Sequence, residues 1–333
     1  MQDRKDGNVL MKRLSIIIVT YKSEADIYDC LASVWKFCDI AREDVEVIIV
    51  DNSPHSESMF SQLRSLYGED VILIHNTHNG GYGQGNNVGI RRATAPVVMI
   101  MNPDVRMMEP VFKTAVEAFE RDDKLCMYGM NQMFSKDVKS PLSFNCSFRM
   151  NGYLSALLTP LCNRMDCYLP RYMYFSGSCF FMDKARFEAI GMFDEDNFMY
   201  GEEDDIHWRM ARRFGYHFSY NKSLHYIHMT MDRKPSLKTE RAMLEAAVKL
   251  NGKKGVPAKR IIANKMASMK VRRLKRRLDK WRGRGDDEML QVMDAFLDEL
   301  KTSYLLFLAT PKESVTFVPK NRKEWKDSKY KHS

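Results

Sequence analysis

Four short apolar runs constrain this chain more than any other feature. "LSIIIVTY" (14–21), "VEVIIVDNS" (45–53), "VILIHN" (71–76) and "PVVMIMN" (96–102) are rich in β-branched residues and end on polar or turn-forming ones. Helical or glycine-rich segments separate them; in "DIYDCLASVWKF" (26–37) Ile27, Leu31, Val34 and Trp35 recur at helical spacing. Strands alternating with helices at this rhythm predict βαβ units, hence an α/β fold with a mostly parallel central sheet flanked by helices. Such sheets bind ligands outside the carboxyl ends of their strands. The four ends here carry Thr20 and Tyr21, Asp51, Asn79 onward, and Asp104. In "MIMNPDVRM" (99–107) Pro103 cannot donate to a ladder and biases Asn102 away from helix, so the strand stops there and presents Asp104.

With 333 residues, 44% hydrophobic and 29% charged, the chain has room for one large α/β domain plus an appendage. The expected organisation is a tail over 1–12, a catalytic domain over 13–235 (a nucleotide-binding half, 13–109, and an acceptor-side half, 110–235), a helical basic extension over 236–310 and a disordered tail over 311–333. The first nineteen residues hold only a four-residue apolar run, too short for a signal peptide or a membrane span, so a cytoplasmic location is expected. Seven cysteines without a close C-x-x-C pair suit buried thiols better than disulfides or a zinc site.

Several motifs carry chemistry, each with a plainer alternative. The glycines of "HNGGYGQGNNVGI" (78–90) do not form G-x-G-x-x-G and do not follow the first strand, which excludes a nicotinamide fingerprint; no Walker A or G-x-S-x-G pattern occurs either. The segment reads as a loop, either a turn-rich connection or one whose backbone approaches a flat or phosphorylated ligand. Asp104 is either a helix N-cap or a strand-end ligand. "GEEDD" (201–205) sets four acids in a row before an amphipathic helix, either as a solvated first turn favoured by the helix dipole or as a ligand-orienting acid and a general base. His225 and His228 follow in an apolar segment, where a packed core histidine is the ordinary reading and a Mg²⁺ or Mn²⁺ ligand the functional one.

Taken together these motifs resemble the inverting family 2 glycosyltransferases of the GT-A fold, in particular their rhamnosyltransferase-like branch. "SIIIVTYKSEADIYDCLASV" is similar to the family's first strand and helix, "EVIIVDNSPHSE" to its second strand with a nucleotide-contacting Asp, and "NGGYGQGNNVGIRRA" to a pattern of Asn79, Gly81, Tyr82, Gly85, Asn87 and Gly89. "IMNPDV" resembles the metal-binding D-x-D, with Asn102 in place of the first Asp. "FSGSCFFMDKARFEAIGMFDEDNFMYGEEDDIHWR" resembles the acceptor-side segment ending in E-D-x-D-L-x-x-R, and His228 falls where a C-terminal metal-ligand His is found. The likeness covers roughly 13–232.

The resemblance implies that Thr20, Tyr21, Asp51, Asn79, Gly81, Tyr82, Asn87, Asn102 and Asp104 bind a dTDP- or UDP-sugar. Asp104 and His228 would hold Mg²⁺ or Mn²⁺ on its diphosphate, and Gly177, Glu202, Asp205 and Arg209 would line the acceptor side. A carboxylate base would then move rhamnose or another hexose, with inversion, to a saccharide acceptor such as a lipid-linked surface-polysaccharide intermediate. Counting back from Arg209 places the family's E-D on Glu202-Glu203, whereas a one-residue slide places it on Glu203-Asp204, so Glu203 is the favoured base and Asp204 the second candidate. A catalytically inactive binding or scaffold protein on the same fold is the alternative.

The net charge of +9 is concentrated in residues 259–284, which hold twelve Lys and Arg against the single acid Asp279. With Trp281 as its lone aromatic and no recognition motif, this block does not suggest a nucleic-acid partner. Ala267, Val271, Leu274, Leu278 and Trp281 recur at intervals of four and three, an apolar seam on a basic helix. Two fates are open to it: peripheral attachment to an anionic membrane surface, or packing against the acidic amphipathic segment that follows.

Overall fold

The computed structural model describes residues 12–229, 236–282 and 287–309; the expected tails lie outside these apart from Lys12. In chain order the elements are β1 (Leu14–Thr20), α1 (Glu24–Lys36), β2 (Val45–Asp51), α2 (Glu57–Tyr67), β3 (Val71–His75), α3 (Gly81–Arg92), β4 (Val97–Met101), β5 (Val105–Met107) and α4 (Phe112–Arg121). They continue with β6 (Met127–Met133), β7 (Phe144–Cys146), α5 (Gly152–Arg164), β8 (Met173–Phe175), β9 (Cys179–Asp183), α6 (Lys184–Ala189), α7 (Glu202–Phe214), β10 (Phe218–His228), α8 (Leu237–Gly252), α9 (Ala258–Trp281) and α10 (Asp287–Ala309). The described residues fall into two compact units. One lies within Met1–Ser143, Phe175–Phe198 and Ile206–Met231, the other within Phe144–Tyr174, Met199–Asp205 and Asp232–Ser333. The second thus adds 144–174 and 199–205 to the expected extension.

The first unit holds an eight-stranded sheet in the order β3-β2-β1-β4-β9-β6-β10-β5. The pairs from β3 to β4 are parallel, as is β6 with β10; β9 runs antiparallel to both neighbours and β5 antiparallel to β10. All seven residues of β2 are buried, as a strand covered on both faces requires. Its one charged interior residue, Glu46, is tolerated because Oε1 accepts from Ser15 Oγ, Thr94 N and Thr94 Oγ1 at 2.5, 2.5 and 2.9 Å. All seven cysteines are free, and five are buried. Burial pushes the Cys30 thiol up to about 12, which makes it an inert packing group.

The glycine-rich segment differs from expectation: Gly81–Arg92 is helix, not loop. Local propensity disfavours helix where four of twelve residues are glycine and two are asparagine, but the contact with the sheet decides. A Cβ at Gly85 would stand 2.8 Å from Val19 Cγ1, and one at Gly89 would stand 2.5 Å from Ile17 Cγ2. The glycines let α3 lie directly on β1 and β2, closer than side chains permit.

The second unit is helical, with a core of Leu244, Ile261, Ile262, Met269, Phe296 and Leu300 from α8, α9 and α10. Among its polar anchors is Glu240, 2.7 Å from Lys265. Burial alone would raise the Glu240 carboxyl, but Lys265 and Arg272 hold it below its ordinary value. Helix α5 packs on α9 so closely that a Cβ at Gly152 would meet the Asn264 carbonyl oxygen at 1.8 Å. The basic seam divides: Ala267 is buried, whereas Leu274, Leu278 and Trp281 are exposed. Contact with α10 runs instead through Ile262, Met269 and Arg273, whose guanidinium pairs with Asp294. Among the described residues no helix is long and apolar enough to cross a membrane.

Candidate functional site

In the first unit three neighbouring strand ends converge. The β1–β2 register sets Thr20 against Asp51, and the β1–β4 register sets Ile18 against Met101, so the turn 102–104 emerges level with Thr20. Asp51 is buried; its Oδ1 accepts from Thr20 Oγ1 and Ser53 Oγ, both at 2.8 Å, and its Oδ2 from Ser56 Oγ at 2.5 Å. It ties the ends of β1 and β2 into one rigid floor. Tyr21, directly beyond, is exposed.

The start of α3 forms the next wall. Gly81 adopts φ +90°, its N–H donates to Asn79 Oδ1 at 3.2 Å and its carbonyl accepts from Asn52 Nδ2 at 3.2 Å. The Tyr82 hydroxyl donates to the Gly177 carbonyl at 2.6 Å, joining two candidates far apart in sequence. Asn87 is buried and clamps the 193–195 segment, donating to Phe193 O and Glu195 Oε1 and accepting from Phe193 N. A Cβ at Gly81 would stand 1.8 Å from the Phe198 carbonyl oxygen. Gly81→Ala, clashing with backbone at a left-handed φ, is therefore expected to cost about 3 kcal/mol and lower Tm by roughly 6–12 °C; an unchanged melting curve would contradict this tight approach.

Asp104 lies between β4 and β5 and is not a helix cap, since α4 begins only at Phe112 with Val111 as its N-cap. What brings His228 to it is strand pairing. β5 runs antiparallel to β10 with Val105 opposite His228, and Met229 N donates to Asp104 O at 3.0 Å. His228 Nε2 stands 3.2 Å from Asp104 Oδ1, with side-chain exposures of 9% and 15%. Neither ring nitrogen of His228 makes a hydrogen bond although both are buried, an arrangement that a protein interior rarely leaves unanswered. His225 is turned to other use, its ring Nδ1 2.8 Å from Glu109 Oε1.

In the second unit the four acids occupy the first turn of α7. They follow two residues of positive φ, Tyr200 at +78° and Gly201 at +84°, a strained entry for the non-glycine residue. The solvated-turn reading does not hold: Glu202, Asp204 and Asp205 are buried, and only Glu203 is partly exposed. Neither Asp204 oxygen has a hydrogen-bond partner, and the nearest cation is Lys254, its Nζ 4.0 Å from Asp204 Oδ2 and 3.3 Å from Asp205 Oδ1. Burial pushes the Lys254 ammonium below its ordinary value against the pull of Asp204 and Asp205. Tyr174 is buried nearby, its hydroxyl pushed well above its ordinary value by burial and by the charges of Asp204, Glu203 and Glu202. Sequence reading missed both residues: Lys254 sits in the "NGKKGVP" break between α8 and α9, where only the glycines and proline carry a local signal. Arg209, further along α7, donates from Nη1 to Ile190 O at 2.7 Å within the first unit.

The mixed sheet, parallel from β3 to β4 and with carboxylates at its strand ends, is an α/β fold of the GT-A-like kind found in its structural neighbours. The chain is similar in fold to mannosyltransferase PcManGT of Pyrobaculum calidifontis, solved with GDP-Man and Mn²⁺, at a TM-score of 0.57 and 16% identity over 90% of this chain and 88% of that one. It is likewise similar to GalNAc-T7, solved with UDP, GalNAc and Mn²⁺, at a TM-score of 0.55 and 15% identity over 74% and 48% of the two chains. Residues 15–191 match the family described as glycosyl transferase family 2, and the chain belongs to it. A curated relative, the low-salt glycan biosynthesis hexosyltransferase Agl10 of Haloferax volcanii, is 30% identical over 227 residues. That alignment spans 62% of this chain and 64% of the relative.

Proposed function

We propose that this protein is an inverting hexosyltransferase that moves rhamnose or another hexose from a dTDP- or UDP-sugar to a saccharide acceptor, of which a lipid-linked surface-polysaccharide intermediate is the form we favour. The observation that carries the reading is the Asp104–His228 pair, with two buried ring nitrogens lacking hydrogen bonds beside a strand-end carboxylate. One oxygen and one nitrogen donor fit a divalent cation, Mg²⁺ or Mn²⁺, that completes its shell with substrate phosphate and water. Among the described residues no cluster of three or more His, Cys, Asp or Glu could hold an ion without such help. Bound there, the cation would neutralise charge on the departing nucleoside diphosphate.

The chain's own residues do the rest. The floor tied by Thr20 and Asp51, with Tyr21, Asn79 and the Gly81–Tyr82 turn, seats the nucleotide. A single displacement requires a base on the acceptor hydroxyl, and Glu203 is the acid whose exposure suits it. Asp204, buried beside Lys254, would have to shed its neighbours to reach a proton. In thermal-shift measurements UDP- or dTDP-sugars with Mn²⁺ should raise Tm, nucleotide sugar alone should raise it less, and His228→Ala should erase the difference. A metal-independent shift in both forms would refute the assignment of the pair. Measurable metal-dependent release of nucleoside diphosphate would in turn exclude the inactive scaffold.

A further inference from the structure

Two exposed apolar stripes lie on the second unit, among none of the residues assigned above to sugar transfer. On α5 and its exit, Leu154, Leu157, Leu161 and Met165 are 53%, 58%, 51% and 67% exposed, at intervals of three and four that keep them on one face. The opposite face, with Gly152, is the one that packs on α9. On α9 itself the covered part of the seam ends at Ala267, and the last two turns present Leu274, Leu278 and Trp281, the last 84% exposed.

Charge tells which partner such a surface fits. Lys265 and Arg273, on the core side of α9, are paired internally with Glu240 and Asp294. Lys270, Lys275, Arg276 and Arg282 are exposed and belong to no ion pair among the described residues. Exposed leucines and a tryptophan on a helix that also carries unpaired cations, Lys270, Lys275 and Arg282 nearest the stripe, match the boundary between acyl chains and anionic headgroups, where apolar side chains are buried and cations meet phosphate. A single-stranded nucleic acid would call for a series of stacking aromatics along the basic helix, and Trp281 is the one aromatic of α9.

We propose that the second unit docks on an anionic bilayer surface through the α5 stripe and the last two turns of α9. The test is co-sedimentation of the full chain with vesicles of phosphatidylcholine alone or mixed with phosphatidylglycerol. Partition onto the anionic vesicles should be at least ~10²-fold stronger and should fall at least ~10²-fold in K270E/K275E/R276E/R282E, given the attraction of each surface cation. Leu157→Gln with Leu161→Gln, and separately Trp281→Ser, should weaken it at least ~10-fold by removing inserted apolar area. All these side chains are exposed, and an unchanged Tm confirms that each variant is folded. Equal partition on neutral and anionic vesicles, absence of partition on both, or variants matching wild type would overturn the proposal. So would a dimer that Leu157→Gln with Leu161→Gln abolishes, or retention on nucleic acid at physiological salt, if either occurs without vesicle binding. None of these readouts requires that the transfer assignment be right.

Discussion

Asp104→Ala should reduce kcat/KM for sugar transfer by about 10³-fold or more, the scale set by several kcal/mol of metal-borne charge stabilisation, while the variant still folds and melts cooperatively. The reason for the separation is structural. The turn at 102–105 is fixed by backbone bonds, Asn102 N to Ser178 O, Val105 N to Asn102 O and Met229 N to Asp104 O, none of which involves the Asp104 carboxylate. Removing that carboxylate removes a ligand and its contact with His228, while these backbone bonds remain. Mn²⁺ should also cease to enhance nucleotide-sugar binding in the variant. Full turnover by Asp104→Ala would mean that the metal is held elsewhere.

Glu203→Gln should keep nucleotide-sugar affinity and lower kcat by roughly 10²–10⁴-fold, the ordinary contribution of a positioned general base. The amide preserves shape and removes only the proton-accepting capacity. The wild-type fall of kcat/KM toward acid pH, where a carboxylate base becomes protonated, should flatten in the variant. Asp204→Asn serves as the comparison: its carboxylate is buried, beside Lys254 at 4.0 Å, so its replacement should appear first in Tm and only then in rate. If Asp204→Asn loses activity with an unchanged Tm and Glu203→Gln stays active, the family's acidic pair is aligned one residue later.

The positions of β1, β2 and β4 are legible from sequence because a parallel strand covered on both faces must be apolar throughout, and the edge strand β3 is legible as a short β-branched run between turn residues. The strand ends follow directly: Asp51 and Asp104 come where those runs stop. The helices over 237–309 are legible for the analogous reason, their apolar spacing being a local property. The segment at 78–90 is not legible in this way. Its glycines favour a loop by propensity and become helix only because Ile17, Val19 and Val50 lie against them at distances that exclude side chains.

The candidate site divides along the same line. By itself the sequence determined that carboxylates gather at the carboxyl edge of a parallel sheet, that four acids open an amphipathic helix, and that cations gather in one late segment. Periodicity carries no information about the pairing of His228 with Asp104, which only the family resemblance implied; the antiparallel register between β5 and β10 is what sets their distance. The tertiary structure alone decided which of the four acids stays accessible, because Lys254 arrives from the α8–α9 turn to pair with Asp204 and Asp205. It alone divided the basic seam, covering Ala267 with α5 and leaving Trp281 in solvent. Spacing along a chain fixes which residues share a face; which face is covered, and by what, depends on contacts between segments distant in sequence.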